Sequence, residues 1–176
     1  MKQTNMHTHE QLRRMVLAAV FAALSCVATM LIQIPSPMNG YVNMGDCFVL
    51  LGGLFLGPVW GAMAGGVGSM LADLFTGYAH YALGTFVIKA AMVPVFVGVY
   101  RSLTAGKLPK IVAHLVGATA AELVMVAGYF GYGCLLLGNG LAAVSGIPGN
   151  LVQGVFGVVV SAVLVQVLHG CKLGKK

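Results

Sequence analysis

Nine of the ten Lys and Arg residues stand between or at the ends of long apolar runs; the tenth, Lys89, lies deep inside one. A chain built this way has few folds open to it. In hydrocarbon every backbone N–H and C=O must be satisfied internally, so runs of this length form helices packed on helices. With 59% hydrophobic and 8% charged residues, the whole 176-residue chain reads as an integral membrane domain. Its mean hydropathy is +0.91.

Runs long enough to cross about 30 Å of hydrocarbon divide the chain into six spans, at roughly 11–34, 46–59, 60–76, 80–100, 111–133 and 150–170. The second and third form one glycine-laden stretch broken at Gly57-Pro58, where a turn between two short helices is expected. The expected fold class is an all-α membrane protein, a six-transmembrane-helix bundle in one domain over 1–176. Lys2, Arg13 and Arg14 precede or start the first span, Arg101, Lys107 and Lys110 lie between the fourth and fifth, and Lys172, Lys175 and Lys176 follow the sixth. With six spans these segments share one side, which the positive-inside rule makes cytoplasmic, so both termini are expected there. The chain is accordingly expected in a bacterial-type plasma membrane as a multi-pass protein. The net charge of +6 then reflects topology, and no nucleic-acid partner is expected because no basic cluster exceeds three residues.

The first run is expected to be a retained helix, since it ends in Gln33-Ile34-Pro35-Ser36-Pro37 without a small-residue cleavage pattern. The terminal tails are too short to fold alone, and no phosphate-binding loop is present, so any energy source is expected in another subunit. Cys26, Cys47, Cys134 and Cys171 are scattered, which points to neither a metal site nor a disulfide framework.

Polar residues gather toward the other, noncytoplasmic side. Asn39, Tyr41, Asn43 and Asp46 belong to the first outer loop; Asp73, Thr76, Tyr78, His80 and Tyr81 surround the second; Tyr129, Tyr132, Asn139, Asn150 and Gln153 surround the third. Below them lie Lys89, about 13 Å deep, and Glu122, about 15 Å deep, counting 1.5 Å per helical residue. Charges at such depth are costly unless paired or functional, and spans joined by a short loop are usually neighbours, so a Lys89–Glu122 pair is expected. The candidate substrate-binding residues are Lys89, Glu122, Asn43, Asp46, Asp73, Tyr78, His80, Tyr81, Asn150 and Gln153. Such groups suit a small heteroaromatic or polyol, while a structural ion pair is the alternative for Lys89 and Glu122. Asp46 and Asp73, near helix ends, fit helix caps equally well.

Small residues Ala18, Ala22, Ser25 and Thr29 form one stripe of the first span, with Ala19 and Ala23 beside it. That stripe fits either docking of a partner helix or packing within the bundle. Gly57, Gly61, Gly65 and Gly68 form a second ridge, for which internal packing is expected. No catalytic residues are expected: Gly66-Val67-Gly68-Ser69 lacks the glycine that follows a nucleophilic serine, and Asp46 and Asp73 lie too near the outer surface for a mid-membrane aspartyl pair. A channel would need polar stripes through the full depth of several helices, and the cytoplasmic halves are almost wholly Ala, Val, Leu and Gly.

The runs Gly40-Tyr41-Val42-Asn43-Met44-Gly45-Asp46, Leu51 to Pro58, Gly61-Ala62, Gly65-Gly66-Val67-Gly68-Ser69, Ala72-Asp73-Leu74, Gly77-Tyr78 and Thr85-Phe86-Val87-Ile88-Lys89 together resemble the S components of energy-coupling factor (ECF) vitamin transporters. The likeness is detailed over 40–90, and its pieces are specific only in combination. It implies a substrate-binding subunit that captures a small water-soluble vitamin or precursor at the outer face, under a lid formed by 35–45. It also implies partners: a transmembrane coupling protein and two cytosolic ATPases that use ATP, with no cofactor in this chain. The Asn-x-Gly-Asp and Thr-Phe-x-x-Lys pieces are most similar to the riboflavin, hydroxymethylpyrimidine and pyridoxine branch. One Lys, one Glu and few aromatics favour a single-ring substrate over riboflavin. Ala18/Ala22, or in a second register Ala19/Ala23, is similar to the Ala-x-x-x-Ala motif that docks such subunits on the coupling protein.

Overall fold

The computed structural model describes residues 2–36 and 40–170, with side chains over 9–36 and 40–168. Asn39, Cys171, Lys172, Lys175 and Lys176 lie outside the described residues, as does the side chain of Lys2. The element order is α1 (Lys2–Leu31), β1 (Gln33–Ser36), β2 (Gly40–Asn43), α2 (Asp46–Phe75), α3 (Ala79–Ala105), α4 (Lys110–Leu135), a 3-10 segment (Gly140–Gly146) and α5 (Ile147–Gly170). The domain is helical apart from β1 and β2, which pair antiparallel with Gln33 opposite Asn43 and Ser36 opposite Gly40. The all-α class expected from the sequence holds, and this short hairpin is an addition to it. The first span stops at Leu31 and not at 34, because Pro35 cannot donate to a helix and the residue before it is driven to extended backbone. At the other end α1 is already helical from Lys2, where a short tail was expected, and Arg14 binds Glu10 one turn before it at 2.8 Å.

Five helices have the length and apolarity of membrane spans among the described residues. The second differs from the rest. Gly57 has φ 81° and ψ −175°, a conformation essentially closed to other residues, and Pro58 follows as the first residue of a new helical limb. A Cβ at Gly61 would lie 2.7 Å from Gly53 Cα, and one at Gly65 would lie 2.8 Å from Val49. Residues 49 and 65 of a straight helix would be about 24 Å apart, so α2 folds back on itself at Gly57. Its first limb, 46–56, is about 16 Å long, shorter than the hydrocarbon core. The six spans expected from the sequence are therefore five long helices, one of them bent back at Gly57, where the turn between two short helices is expected.

Around this hairpin, α2 packs against α1 and α3, α3 against α4, α4 against α5, and α5 returns to α2. Val49, Leu50, Met92, Val93, Phe96 and Met125 fill the centre, each fully buried. Since lipid is as apolar as these side chains, the assembly depends on close van der Waals contact, which the small residues permit. Gly61 and Gly65 press the two limbs of α2 together, and Gly68 meets the backbone carbonyl of Ala22 on α1. Gly61, Gly65 and Gly68 of the glycine ridge are internal, as expected, while Gly57 makes the reversal. The stripe on α1 is internal too: Ala18, Ser25 and Thr29 are buried and Ala22 is half-buried, whereas Ala19 and Ala23 remain exposed.

A Cβ at Gly68 would overlap the Ala22 carbonyl, while one at Gly98 would meet nothing within 4 Å. Gly68→Ala is expected to cost about 1–3 kcal/mol and to lower the thermal unfolding midpoint in detergent. Gly98→Ala should leave that midpoint unchanged or raise it, by about 1 kcal/mol at most.

Candidate functional site

The end of the bundle opposite Gly57 carries the polar groups. Here β1 and β2 lie across the helix ends, and the helix starts sit beneath them. Asp46, the first residue of α2, is 1% exposed and caps nothing; Lys89 from α3 is also 1% exposed. The two form a salt bridge. This overturns two expectations. Lys89 pairs with Asp46 and not with Glu122, and Asp46 is an interior residue because the hairpin covers the helix end that the sequence places at the surface.

Gln153 on α5 completes the arrangement. Its Nε2 donates to the second oxygen of Asp46 at 2.7 Å, while its Oε1 accepts from the backbone N–H of Asn43 at 2.9 Å. One amide thus ties the ion pair to the hairpin. The Asn43 side chain accepts from the Gly45 N–H at 3.0 Å and from Thr29 on α1 at 3.4 Å, which fixes the entry into α2. Four elements meet on one buried charge pair, as desolvated ions require.

Above Lys89 opens a cavity lined largely by polar side chains. The hairpin contributes Ser36, Gly40, Tyr41 and Asn43; α2 contributes Ser69 and Asp73; α3 contributes Tyr81, Thr85 and Lys89. Tyr129 and Phe130 of α4, Asn139, and Asn150 and Gln153 of α5 close the remaining wall. The Lys89 ammonium lies 5.5 Å from the centroid of the Tyr129 ring, within cation–π range, and the Tyr129 hydroxyl donates to Thr85 at 3.1 Å. At the rim, Tyr41 donates to Asp73, and Gln33 donates to Thr76 at 3.2 Å, so the hairpin is fastened to the outer end of α2. Burial, reinforced by the neighbouring Asp73 carboxylate, raises the Tyr41 phenol above its ordinary pKa, which keeps it a neutral donor.

Of the residues singled out from sequence, Lys89, Asn43, Asp73, Tyr81, Asn150 and Gln153 line this cavity, and Asp46 lies behind Lys89. Tyr78 packs at a tilt against Tyr41 with ring centroids 4.6 Å apart, and His80 against Tyr81 at 4.7 Å; both are rim residues outside the lining. Glu122 is not part of the lining. It is 4% exposed and packs beside Asp46, the neighbouring carboxyl with which it interacts. It borders a separate groove between α4 and α5 with Leu123, Val126 and Val155. Gly154 and Gly157 let α5 pass over it, a Cβ at Gly157 falling 3.0 Å from Asp46 Cβ as well as against Glu122.

The lining residues outside the set of sequence candidates are chiefly Thr29, Ser69, Thr85, Tyr129 and Phe130. A signal for some was present: 81, 85 and 89 on α3, and 69 and 73 on α2, are polar positions spaced by four in otherwise apolar helices. Among the described residues no group of three or more His, Cys, Asp or Glu converges to hold a metal.

The same architecture occurs in known proteins. Residues 10–169 match the family described as ECF-type riboflavin transporter, S component. The chain belongs to the S-component family. This S component is 39% identical over 145 residues to an uncharacterised protein of Pyrococcus woesei, covering 81% of this chain and 92% of that protein. It is 28% identical over 158 residues to the thiamine precursor transporter HmpT of Lactococcus lactis subsp. cremoris strain MG1363, covering 89% and 87%. A solved structure of the S component of a bacterial ECF transporter shares the fold, with a TM-score of 0.74 at 22% identity over 93% of this chain and 99% of the other. The family is one of membrane-embedded transporter subunits that bind vitamins, and not of enzymes.

Removing one member of the buried pair isolates the other. Lys89→Met is expected to destabilise the S component by about 3–5 kcal/mol, read as a lower thermal midpoint in detergent. Adding Asp46→Asn to that variant should restore at least half of the loss. A double variant no more stable than Lys89→Met would mean that charge burial is not what the pair contributes.

Proposed function

We propose that this S component captures a single-ring, water-soluble vitamin or vitamin precursor, pyridoxine- or hydroxymethylpyrimidine-like, at the outer face of a bacterial-type plasma membrane. A separate module of one coupling protein and two ATP-using cytosolic subunits then drives its delivery inward. The observation that carries this reading is the cavity itself: polar groups of the hairpin and all five helices line it together with the rings of Tyr41, Tyr81, Tyr129 and Phe130, and Lys89 lies beside the Tyr129 ring. A flat ring stacked on Tyr129 would place its heteroatoms among Asn43, Lys89 and Gln153. The thiamine-precursor specificity named for the Lactococcus relative agrees with a one-ring ligand. Riboflavin is the second reading, favoured by the description of the family that matches.

The β1–β2 hairpin is the lid on this reading. The reversal at Gly57 lies near Arg101 at the far end of α3, in keeping with six membrane passes and both termini in the cytoplasm. For docking on the coupling protein, Ala19/Ala23 is the register left open, because α2 occupies Ala18 and Ala22.

Isothermal titration of the detergent-purified protein with hydroxymethylpyrimidine, pyridoxine and riboflavin tests the ligand. One of the two single rings is expected to bind most tightly, and tightest binding by riboflavin would select the second reading. In the folded fraction, Lys89→Gln should weaken that ring at least tenfold, about 1.4 kcal/mol. Glu122→Gln, off the cavity wall, should change it less than about threefold. Ala19→Trp with Ala23→Trp should abolish co-purification with the ATPase module while ligand affinity stays within about twofold; unimpaired co-purification would remove the docking face.

A further inference from the structure

Charge is divided unevenly between the two ends of this protein. Of its four acidic residues, Asp46, Asp73 and Glu122 stand in or behind the cavity, and only Glu10 lies elsewhere. Among the described residues Lys89 is the one Lys or Arg at that end. Arg13 and Arg14 belong to the opposite end of α1, Arg101 lies beside the reversal at Gly57, and Lys107 and Lys110 flank the turn from α3 to α4. The charge of Lys89 is already matched: its ammonium is bound to Asp46, which Gln153 holds from the other side, and Glu122 beside Asp46 adds a carboxyl and no cation. Asp73, on the cavity wall and 2% exposed, has two neutral hydroxyls as hydrogen-bond partners, Tyr41 and Thr85. Thr85 accepts from Tyr129, so its own proton is left for Asp73. Two donors suit Asp73 as a carboxylate. Around the mouth, 33–45, 74–79 and 136–150 contain no Lys, Arg or His, and the His80 ring packs on Tyr81 outside the lining.

Resting on the vitamin-site reading above, we infer that this cavity is a charge filter: it accepts its ring as the uncharged alcohol or as a cation and turns away the phosphate ester, with Asp73 as the specificity-determining charge. The cavity groups sum to an excess of negative charge, and charges in a site shielded from water are screened little. A neutral ring needs only hydrogen bonds. The Lys89 N–H groups that Asp46 leaves unused still donate to a ring nitrogen or hydroxyl, and a protonated ring is attracted by Asp73. A phosphate monoester brings about −1.5 to −2 charges at neutral pH and meets Asp73 with no cation to receive it. Turning the phosphate toward the mouth does not help, because no basic residue stands there. Rejection thus comes from a repulsive charge built into the wall, without any loss of contacts to the ring. Where the vitamin is met as an ester, hydrolysis to the alcohol and inorganic phosphate must precede its capture.

Titration calorimetry of the detergent-purified protein, comparing hydroxymethylpyrimidine, pyridoxine and riboflavin each with its own phosphate monoester, tests the filter. Whichever alcohol binds most tightly, its ester is expected to bind at least about tenfold more weakly. Asp73→Asn keeps an acceptor for Tyr41 and removes the charge, and should cut that ratio by at least about threefold. Asn150→Asp, which adds a carboxylate to the same wall at nearly unchanged size, should raise the ratio by a similar factor. An ester that binds the wild-type protein within about threefold of its alcohol, or more tightly, overturns the filter. A ratio that stays the same in both variants also overturns it, since exclusion is then by size; in either case the vitamin site stands. Failure of all these compounds to bind a folded wild-type protein overturns the vitamin-site reading itself.

Discussion

The Lys89–Asp46 ion pair is the contact on which the polar end of this protein depends. In a medium without water each ion alone costs several kcal/mol, and their attraction offsets that only when the remaining hydrogen-bonding capacity is also met. Gln153 supplies the rest for Asp46 and passes the constraint on to the backbone of Asn43. Consequently α2, α3, α5 and the hairpin cannot be placed independently. The cavity floor is thereby tied to three helices and the hairpin at once.

A second constraint acts at the opposite scale. Helices in lipid gain little from burying one apolar surface against another, so their spacing is set by how closely backbones approach. Gly61 and Gly65 hold the limbs of α2 together, Gly68 brings α1 against them, and Gly154 and Gly157 draw α5 over Glu122 toward Asp46. These approaches allow Gln153 to reach Asp46 and Asn43 at once. The glycines thus serve the site through distance, without lining most of it.

Helix existence was legible because apolar runs and confined basic residues carry it directly. The break at Gly57-Pro58 was legible as well, since proline and a positive-φ glycine punctuate any helix. The hairpin was not: Gln33–Ser36 and Gly40–Asn43 are four residues each, too short for alternation to show. Missing it displaced the electrostatics, because depth counted from helix ends puts Asp46 at the surface and leaves Glu122 as the apparent partner of Lys89. Neighbouring spans suggested α3 with α4, whereas the pairing runs from α3 to the start of α2, forty-three positions earlier in the chain. Long-range partners of this kind leave no local pattern. The residues that line the cavity were partly visible as polar positions four apart, and Ser69 and Thr85 escaped because a single hydroxyl in an apolar helix is also satisfied by its own backbone.

The hairpin is held unequally along its length, and that inequality bears on how a ligand could enter. Its inner end, Asn43, is 7% exposed and is bound through Gln153, Gly45 and Thr29. Its outer part is fastened to α2 by Tyr41–Asp73 and Gln33–Thr76, both only partly buried. A net contribution of about 0.5–1.5 kcal/mol for a neutral hydrogen bond, and about 1.5–3 for one to a carboxylate, puts release of the outer part at roughly 2–4.5 kcal/mol. Opening of that size populates a minor state without disturbing the Lys89–Asp46 pair. On the proposed reading the lid swings about Asn43 while the floor stays fixed, so the ligand meets a preformed site and its affinity is not spent on building one.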